Sequence, residues 1–393
     1  MKKQIVSTLK TSMITIMTAT ALSLLILHAS MARAGGDCSG YGDCITRAEN
    51  AYSETDYAAA TDYYEQACAV ASSGDLSDCK DSASDAWLRK GDVSYNYEDY
   101  QSAIEDFTRA VELTPDEAKP YIYRGDAYQN NGNRPEAIAD YSTALNIDPS
   151  NAGVYLWRGK VYSSGGKFDA AIQDYNSSIE LEVTAKAYYF RGDAYLGIAE
   201  YDLGISDYTK AVELDPSMEY ILLYRGDCWM FKGDVDRALA DYTRVSEINP
   251  DDWKAFAYIG EIYVMKRDKA NAITAIKKAL DGFDSDLTDD EKGTLQLFHD
   301  SLTKTGEFPN TDDLKKEAQA AMDAKDNPRL AIYAYANFLM QPQSPEADLL
   351  LAQSYEKIGW KTNSIRFYNR YIYLAPGSKI NNVVRNAIKD LEE

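Results

Sequence analysis

Through most of this chain apolar residues recur at three- and four-residue steps, the spacing of amphipathic helices. The helices come in pairs at a fixed period. Gly91, Gly125, Gly159, Gly192, Gly226 and Gly260 follow one another at 34, 34, 33, 34 and 34 residues. Twelve residues after each glycine stand Ala103, Ala137, Ala171, Gly204, Ala238 and Ala272. Sixteen after stand Phe107, Tyr141, Tyr175, Tyr208, Tyr242 and Ile276, and nineteen after stand Ala110, Ala144, Ser178, Ala211, Val245 and Ala279. Gly132, Gly166 and Gly233 fall where the first helix of a pair should turn into the second, and Pro115, Pro149, Pro216 and Pro250 close most units. Small residues let two helices approach closely, the large rings fill the gap to the next unit, and proline ends the second helix. One such hairpin cannot bury its apolar face alone, so the units must stack.

These residues resemble the tetratricopeptide-repeat family. Trp87, Gly91, Tyr100, Ala103, Phe107, Ala110 and Pro115 match its spaced signature in one unit; Tyr121, Gly125, Tyr128, Ala137, Tyr141, Ala144 and Pro149 match it in the next. The resemblance implies an all-α solenoid, a right-handed superhelix of antiparallel helix pairs. Six units are read over 84–280. A cysteine-containing degenerate repeat is read over 35–83, on Ala48, Tyr57, Ala60, Tyr64 and Ala67, and two more degenerate units over 312–378, the later on Ala352, Tyr355, Gly359, Ile365, Tyr368 and Pro376. Residues 281–311 break the period as an irregular acidic insertion with a helix, whose start Thr288 and Glu291 would mark as a capping box. Its aspartates lack the glycine that a Ca²⁺ loop needs, so no metal site is expected. Residues 379–393 have the helical spacing of a capping helix over the last open face.

Two charged columns run through the units. Lys90, Arg124, Arg158, Arg191 and Arg225 precede the glycines, and Asp106, Asp140, Asp174, Asp207 and Asp241 follow them by fifteen residues. Both columns turn apolar together, as Ile259 with Ala275 and as Leu351 with Phe367. Joint presence and joint loss predict an internal ladder of ion pairs between first and second helices. Arg-Gly-Asp at 124–126, 191–193 and 225–227 then lies inside helices with its arginine committed to packing, which argues against an exposed adhesion loop.

Two residues before the glycines stand Arg89, Tyr123, Trp157, Phe190, Tyr224 and Tyr258; one residue after stand Asp92, Asp126, Lys160, Asp193, Asp227 and Glu261. Offsets that differ by three share a helix face. In the family that face lines the concave groove where peptides lie, so the resemblance makes these residues the candidate binding site, unless the rings only pack helix on helix. Aspartate after the glycine would repel a terminal carboxylate, which argues against the family's chaperone-tail binders. The partner expected is a segment of another protein, a peptide or helix with basic and apolar character.

Composition narrows the chemistry. The chain has 393 residues, 41 Lys+Arg, 62 Asp+Glu and a net charge of −21. That balance argues against nucleic acid, whose phosphates need basic surface. His28 and His299 are the two histidines, and no glycine-rich phosphate loop sits in a βαβ setting, so no cofactor and no catalytic residue is assigned and the reading is not an enzyme.

Lys2, Lys3 and Lys10, an apolar run from Met13 to Leu27, and Ala32-Arg33-Ala34 read as a cleaved bacterial secretory signal over 1–34. Cleavage would leave 359 residues with charge −25 and no later run of eighteen apolar residues. The chain is expected in the periplasm; secretion, or anchoring by an uncleaved signal, is the alternative. Export makes Cys38, Cys44, Cys68 and Cys79 disulfide candidates with three possible pairings. If residues 44–71 form a helix pair, a nested arrangement, Cys44 with Cys68 and Cys38 with Cys79, is favoured. Cys228 is read as a core thiol. The function expected is a non-catalytic interaction scaffold in the bacterial envelope; the alternative is a solenoid that stacks its rings on an envelope polysaccharide.

Overall fold

The computed structural model describes residues 38–282 and 289–392. The leader read over 1–34, and Asp284, Asp286 and Thr288 of the acidic insertion, lie outside the described residues. The chain forms two compact units, divided between Pro149 and Ser150. All regular structure among the described residues is α-helical.

The first unit holds α1 (Tyr41–Ser53), α2 (Tyr57–Val70), α3 (Leu76–Asn96), α4 (Tyr100–Leu113), α5 (Ala118–Asn130) and α6 (Arg134–Ile147), paired as three hairpins. The second begins with four hairpins: α7 (Ala152–Ser164) with α8 (Phe168–Leu181), α9 (Ala185–Gly197) with α10 (Tyr201–Leu214), α11 (Ile221–Lys232) with α12 (Val235–Ile248), and α13 (Trp253–Met265) with α14 (Lys269–Asp281). A single helix α15 (Asp289–Lys304) follows. Then come the hairpins α16 (Thr311–Ala324) with α17 (Asn327–Met340) and α18 (Pro345–Ile358) with α19 (Lys361–Leu374), and last α20 (Asn381–Glu392).

The helices start where the sequence supplies a cap. Asp56, Asp99, Asp234, Asp252 and Asp268 each accept the backbone N–H three residues on, which satisfies a donor the helix cannot. Between the helices of a hairpin the chain passes through one left-handed residue. Glycine fills it at Gly132, Gly166, Gly233 and Gly359, but Thr55, Glu98, Ala199, Arg267 and Lys325 take the same conformation, with φ from 57 to 62°. Those turns carry no glycine signal in the sequence.

The recurring glycines are fixed by one contact. The second helix of each hairpin lays its large residue, sixteen positions on, directly over the glycine of the first. A Cβ at Gly91 would come within 2.4 Å of Phe107, at Gly159 within 2.6 Å of Tyr175, and at Gly226 within 2.4 Å of Tyr242. Gly125 stands likewise to Tyr141, Gly192 to Tyr208, and Gly260 to Ile276. The ring therefore packs inside its own hairpin and also reaches the next. Phe107 meets Tyr123 at 5.5 Å between centroids, Tyr175 meets Phe190 at 6.1 Å, Tyr208 meets Tyr224 at 6.1 Å, and Tyr242 meets Tyr258 at 5.1 Å.

The ion-pair ladder is present at every rung expected. Arg124 grips Asp140 through two bonds, 2.7 and 2.8 Å. Arg158 with Asp174, Arg191 with Asp207, and Arg225 with Asp241 repeat this fork. Lys90 makes one bond of 2.6 Å to Asp106. The third guanidinium nitrogen crosses to the preceding hairpin: Arg124 donates to Thr108, Arg191 to Asn176 and Arg225 to Thr209. One planar fork thus ties three helices, which a lysine could not do. Where the ladder is lost, Ile259 and Ala275 are buried apolar instead.

The disulfides correct the favoured pairing. Cys38 bonds Cys44 and Cys68 bonds Cys79, with Cα separations of 5.1 and 5.5 Å. Cys38 lies just before α1 and Cys44 one turn inside it. Cys68 lies in the last turn of α2 and Cys79 in the first turn of α3. Each bond staples adjacent segments at the open end of the first hairpin, and the loops closed are short, six and eleven residues. By chain entropy such loops contribute about 2–3 kcal/mol each. Cys228 is free and buried.

Gly226→Ala gains intrinsic helix propensity but drives a methyl into the Tyr242 ring. Its unfolding free energy in a urea titration is expected to fall by about 1–3 kcal/mol. Asp140→Asn leaves the Arg124 guanidinium without its counter-charge and is expected to cost about 3 kcal/mol; an unchanged melting temperature would mean that the rung carries no stability.

Candidate functional site

The candidate residues sit on the first helices of their hairpins, each ring one turn before its charged residue, an acid everywhere except at Lys160. In the first unit, α5 carries Tyr123 and Asp126, both half-buried. The Tyr123 ring has Phe107 on one edge and the Lys119 ammonium 5.9 Å from its centroid. Asp126 accepts from the Tyr141 hydroxyl at 2.5 Å, the ring that covers Gly125. The same unit places Asp85 between Lys119 and the Tyr52 hydroxyl, and Arg89 donates to that hydroxyl in turn. Arg89 and Lys119 are exposed.

In the second unit, α7 carries Trp157 and Lys160, both half-buried. The Lys160 ammonium stands 5.1 Å from the Phe190 ring centroid, so the interruption of the acidic column is itself a cation–π contact. Tyr175, which has no acid at this offset in its unit, turns its hydroxyl to Ser163. Further along, Phe190 stacks on Tyr175, and Tyr224 lies against Tyr208 and Tyr189. Tyr258 leans on Tyr242. Packing is therefore one role of Tyr123, Phe190, Tyr224 and Tyr258.

The acids on these later helices meet groups of the same chain. Asp193 takes an Arg366 nitrogen at 2.6 Å, Asp227 accepts from the Tyr242 hydroxyl at 2.7 Å, and Glu261 accepts from the Tyr335 hydroxyl at 3.0 Å. Desolvation pushes the Asp227 carboxyl up to about 7, against the bond from Tyr242 and the charge of Arg366. Burial raises the Tyr208 hydroxyl as well, and its oxygen has no hydrogen-bond partner among the described residues; Asp193 is held by Arg366 instead.

Arg366 belongs to α19, the second helix of the last hairpin, which lies across the ends of the earlier first helices. Thr362 donates to the carbonyl of Ser164, Asn369 to Gly197 and Arg370 to Phe231. Those carbonyls end α7, α9 and α11, where a helix leaves acceptors unsatisfied and its dipole favours positive charge. Ile365 sits against Gly166, where a Cβ would clash at 2.3 Å. Arg370 is 1% exposed, pairs with the fully buried Asp348, donates to Pro342 at 2.5 Å and lies over the rings of Phe231 and Phe338. The last helix, α20, sends Ile388 and Leu391 to the core of its own end and also to the cluster around Phe168 of α8.

Sequence reasoning missed Arg366, Arg370, Asp348 and Tyr335. A signal existed for two of them. Asp348 takes the offset, four before the small residue, that Trp87, Tyr121, Tyr155, Tyr188, Leu222 and Phe256 fill elsewhere. Arg366 takes an offset filled by Glu105, Ala139, Gln173, Ser206, Ala240 and Thr274. What it touches depends on how the last hairpin folds back, which no local pattern encodes.

No group of metal-ligating side chains with a cation's geometry occurs among the described residues, and no described helix is long and apolar enough to cross a membrane. Family models described as TPR repeat and tetratricopeptide repeat match residues 131–164; 152–182, 185–218 and 349–378; and 45–118 and 230–286. Together they cover more than half of the chain. Among curated proteins none matches. Among solved structures, the crystal structure of MamA protein is 28% identical over 42% of this chain and 91% of its own, with a TM-score of 0.40. YrrB, described as a TPR protein with an unusual peptide-binding site, is 26% identical over 45% and 91%, with a TM-score of 0.39. A tetratricopeptide repeat protein from Parabacteroides merdae is 19% identical over 63% and 94%, with a TM-score of 0.44. Matches in six stretches, on hairpins whose glycine, ring and small residues fall in register, make this chain a member of the tetratricopeptide-repeat family, an all-α solenoid fold that serves protein–protein interaction.

Proposed function

We propose that this chain is a non-catalytic scaffold of the bacterial envelope that holds a segment of another protein on the ring-and-charge face of its first helices. One observation carries the reading. Where that face is covered within the second unit, α19, with Arg366, Phe367 and Arg370 in its middle, sets an arginine on Asp193, and α17 sets the Tyr335 hydroxyl on Glu261. The chemistry expected of a partner, basic with apolar anchors, is the chemistry this face already accepts from its own chain.

Asp193 and Glu261 are met by side chains of α19 and α17, so a foreign segment has Tyr123 beside Asp126, whose carboxylate also holds the Tyr141 hydroxyl, on the first unit, or Trp157 with Lys160 at the start of the second. Trp157 offers the largest half-buried ring. Central aromatics of this kind carry a large share of binding energy. A photoreactive residue at Tyr123 and a second at Trp157 would each crosslink the bound protein in living cells if the face is used; labelling from neither would end the proposal.

With the captured partner, Trp157→Ala is expected to weaken binding by about 2 kcal/mol or more, measured calorimetrically. The envelope location has its own check: the protein isolated from the producing cell is expected to begin at Gly35 by mass spectrometry, and a chain that retains Met1–Ala34 in the cytoplasmic fraction would refute export.

A further inference from the structure

The fold-back of the last hairpins leaves two adjoining spaces in the second unit. The larger, about 440 Å³, is walled by α11, α13, α15, α17 and the α18–α19 corner, with Trp360 at its rim, 37% exposed. The smaller, about 80 Å³, lies between α9, the start of α10, α11 and α19. Asp227, Phe231, Asn363 and Phe367 line both, so the two spaces meet at these side chains. The volumes suit a small molecule and are too small for a helix.

The linings differ in kind. Met230, Phe231, Phe367 and Trp360 give the larger space an apolar wall. Arg366 and Arg370 line the smaller one. Their charge is already balanced, because Arg366 pairs with Asp193 and Arg370 with Asp348. Their hydrogen bonding is not. The Nε–H of each is buried and has no acceptor among the described residues, and a buried donor left so is a cost that any acceptor placed there removes. Asp227 takes the Tyr242 hydroxyl, and burial pushes its carboxyl up to about 7, so it too gains from a further hydrogen bond.

We propose that the two spaces together bind one small uncharged amphiphile, its apolar body along Phe231, Phe367 and Trp360 and its amide head beside Asn363, accepting from the Nε–H groups of Arg366 and Arg370 and donating to Asp227. The head is set by what lines the smaller space. A carboxylate would bring a second acid against Asp227. An ammonium would face two guanidinium groups and offer their donors no acceptor. A neutral group that both accepts and donates meets all three side chains, and it does not disturb the two ion pairs. A simple sugar has such groups but lacks the apolar body that the larger space receives. The site is independent of protein binding at Tyr123 or Trp157.

The test titrates the purified protein calorimetrically with 4-phenylbutyramide, with the anionic 4-phenylbutyrate, with the cationic 4-phenylbutylamine and with glucose, while following Trp fluorescence. The amide is expected to bind saturably at one site, on the order of tenfold more tightly than either charged analogue. Arg366→Lys keeps a positive charge for Asp193 but has no Nε–H, and is expected to weaken the amide several-fold. Asn363→Leu, half-buried where the two spaces meet, is expected to do the same and decides the matter if the lysine variant fails to fold. No saturable heat with 4-phenylbutyramide or with the slimmer hexanamide, equal or tighter binding of a charged analogue, a preference for glucose, or unchanged amide binding in the variants that fold would each overturn the assignment.

Discussion

The structure depends on one close contact, repeated: a large side chain on the second helix of a hairpin lying on the glycine of the first. A methyl at Gly91 or Gly226 would sit 2.4 Å from the ring it faces. The glycine is costly to helix propensity, by about 1 kcal/mol, and the cost is offset because the ring beneath is fully buried. The same ring then protrudes far enough to touch the aromatic residue of the next hairpin. One residue pair therefore sets both the spacing within a unit and the surface offered to its neighbour. Close packing tolerates neither a larger first residue nor a smaller second one without strain or a void.

Polar contacts surround this pair and fix its orientation. The forked arginine reaches the second helix and, at several rungs, the preceding hairpin, while Asp126 and Asp227 take the hydroxyl of the tyrosine that covers the glycine. An acid at that position thus has a structural task before any binding task. Phe107 has no hydroxyl to offer, and there the matching Asp92 is raised by burial. Buried ion pairs of this kind contribute little net free energy; their value lies in the single geometry that satisfies all their bonds.

The second unit turns this geometry on itself. The helices that end α7, α9 and α11 present unsatisfied carbonyls, and α19 brings Thr362, Asn369 and Arg370 to meet them. The repeat surface of the second unit is covered in part by α19 of the same chain, and that return leaves a ring-lined cavity. The Tyr208 hydroxyl has no hydrogen-bond partner among the described residues, and Asp193, the acid at its repeat offset, is held by Arg366 instead.

Sequence by itself determined the hairpins, their register, the ladder and the family, because each follows from offsets of a few tens of residues along one helix pair. The offset between Arg124 and Asp140 is enough to name both ends of a bond. It did not determine the turns at Thr55, Glu98, Ala199, Arg267 and Lys325, where the hairpin imposes a left-handed conformation on residues that do not announce it. It left the cysteine pairing open, and the nested choice failed because the four thiols gather at one end, where Cα separations of 5.1 and 5.5 Å select adjacent partners. Only tertiary structure decided that Arg366 meets Asp193, 173 residues away. Periodicity constrains which face of a helix is apolar; it carries no information about which distant surface will cover it, since that choice rests on the summed curvature of many units and on contacts made once.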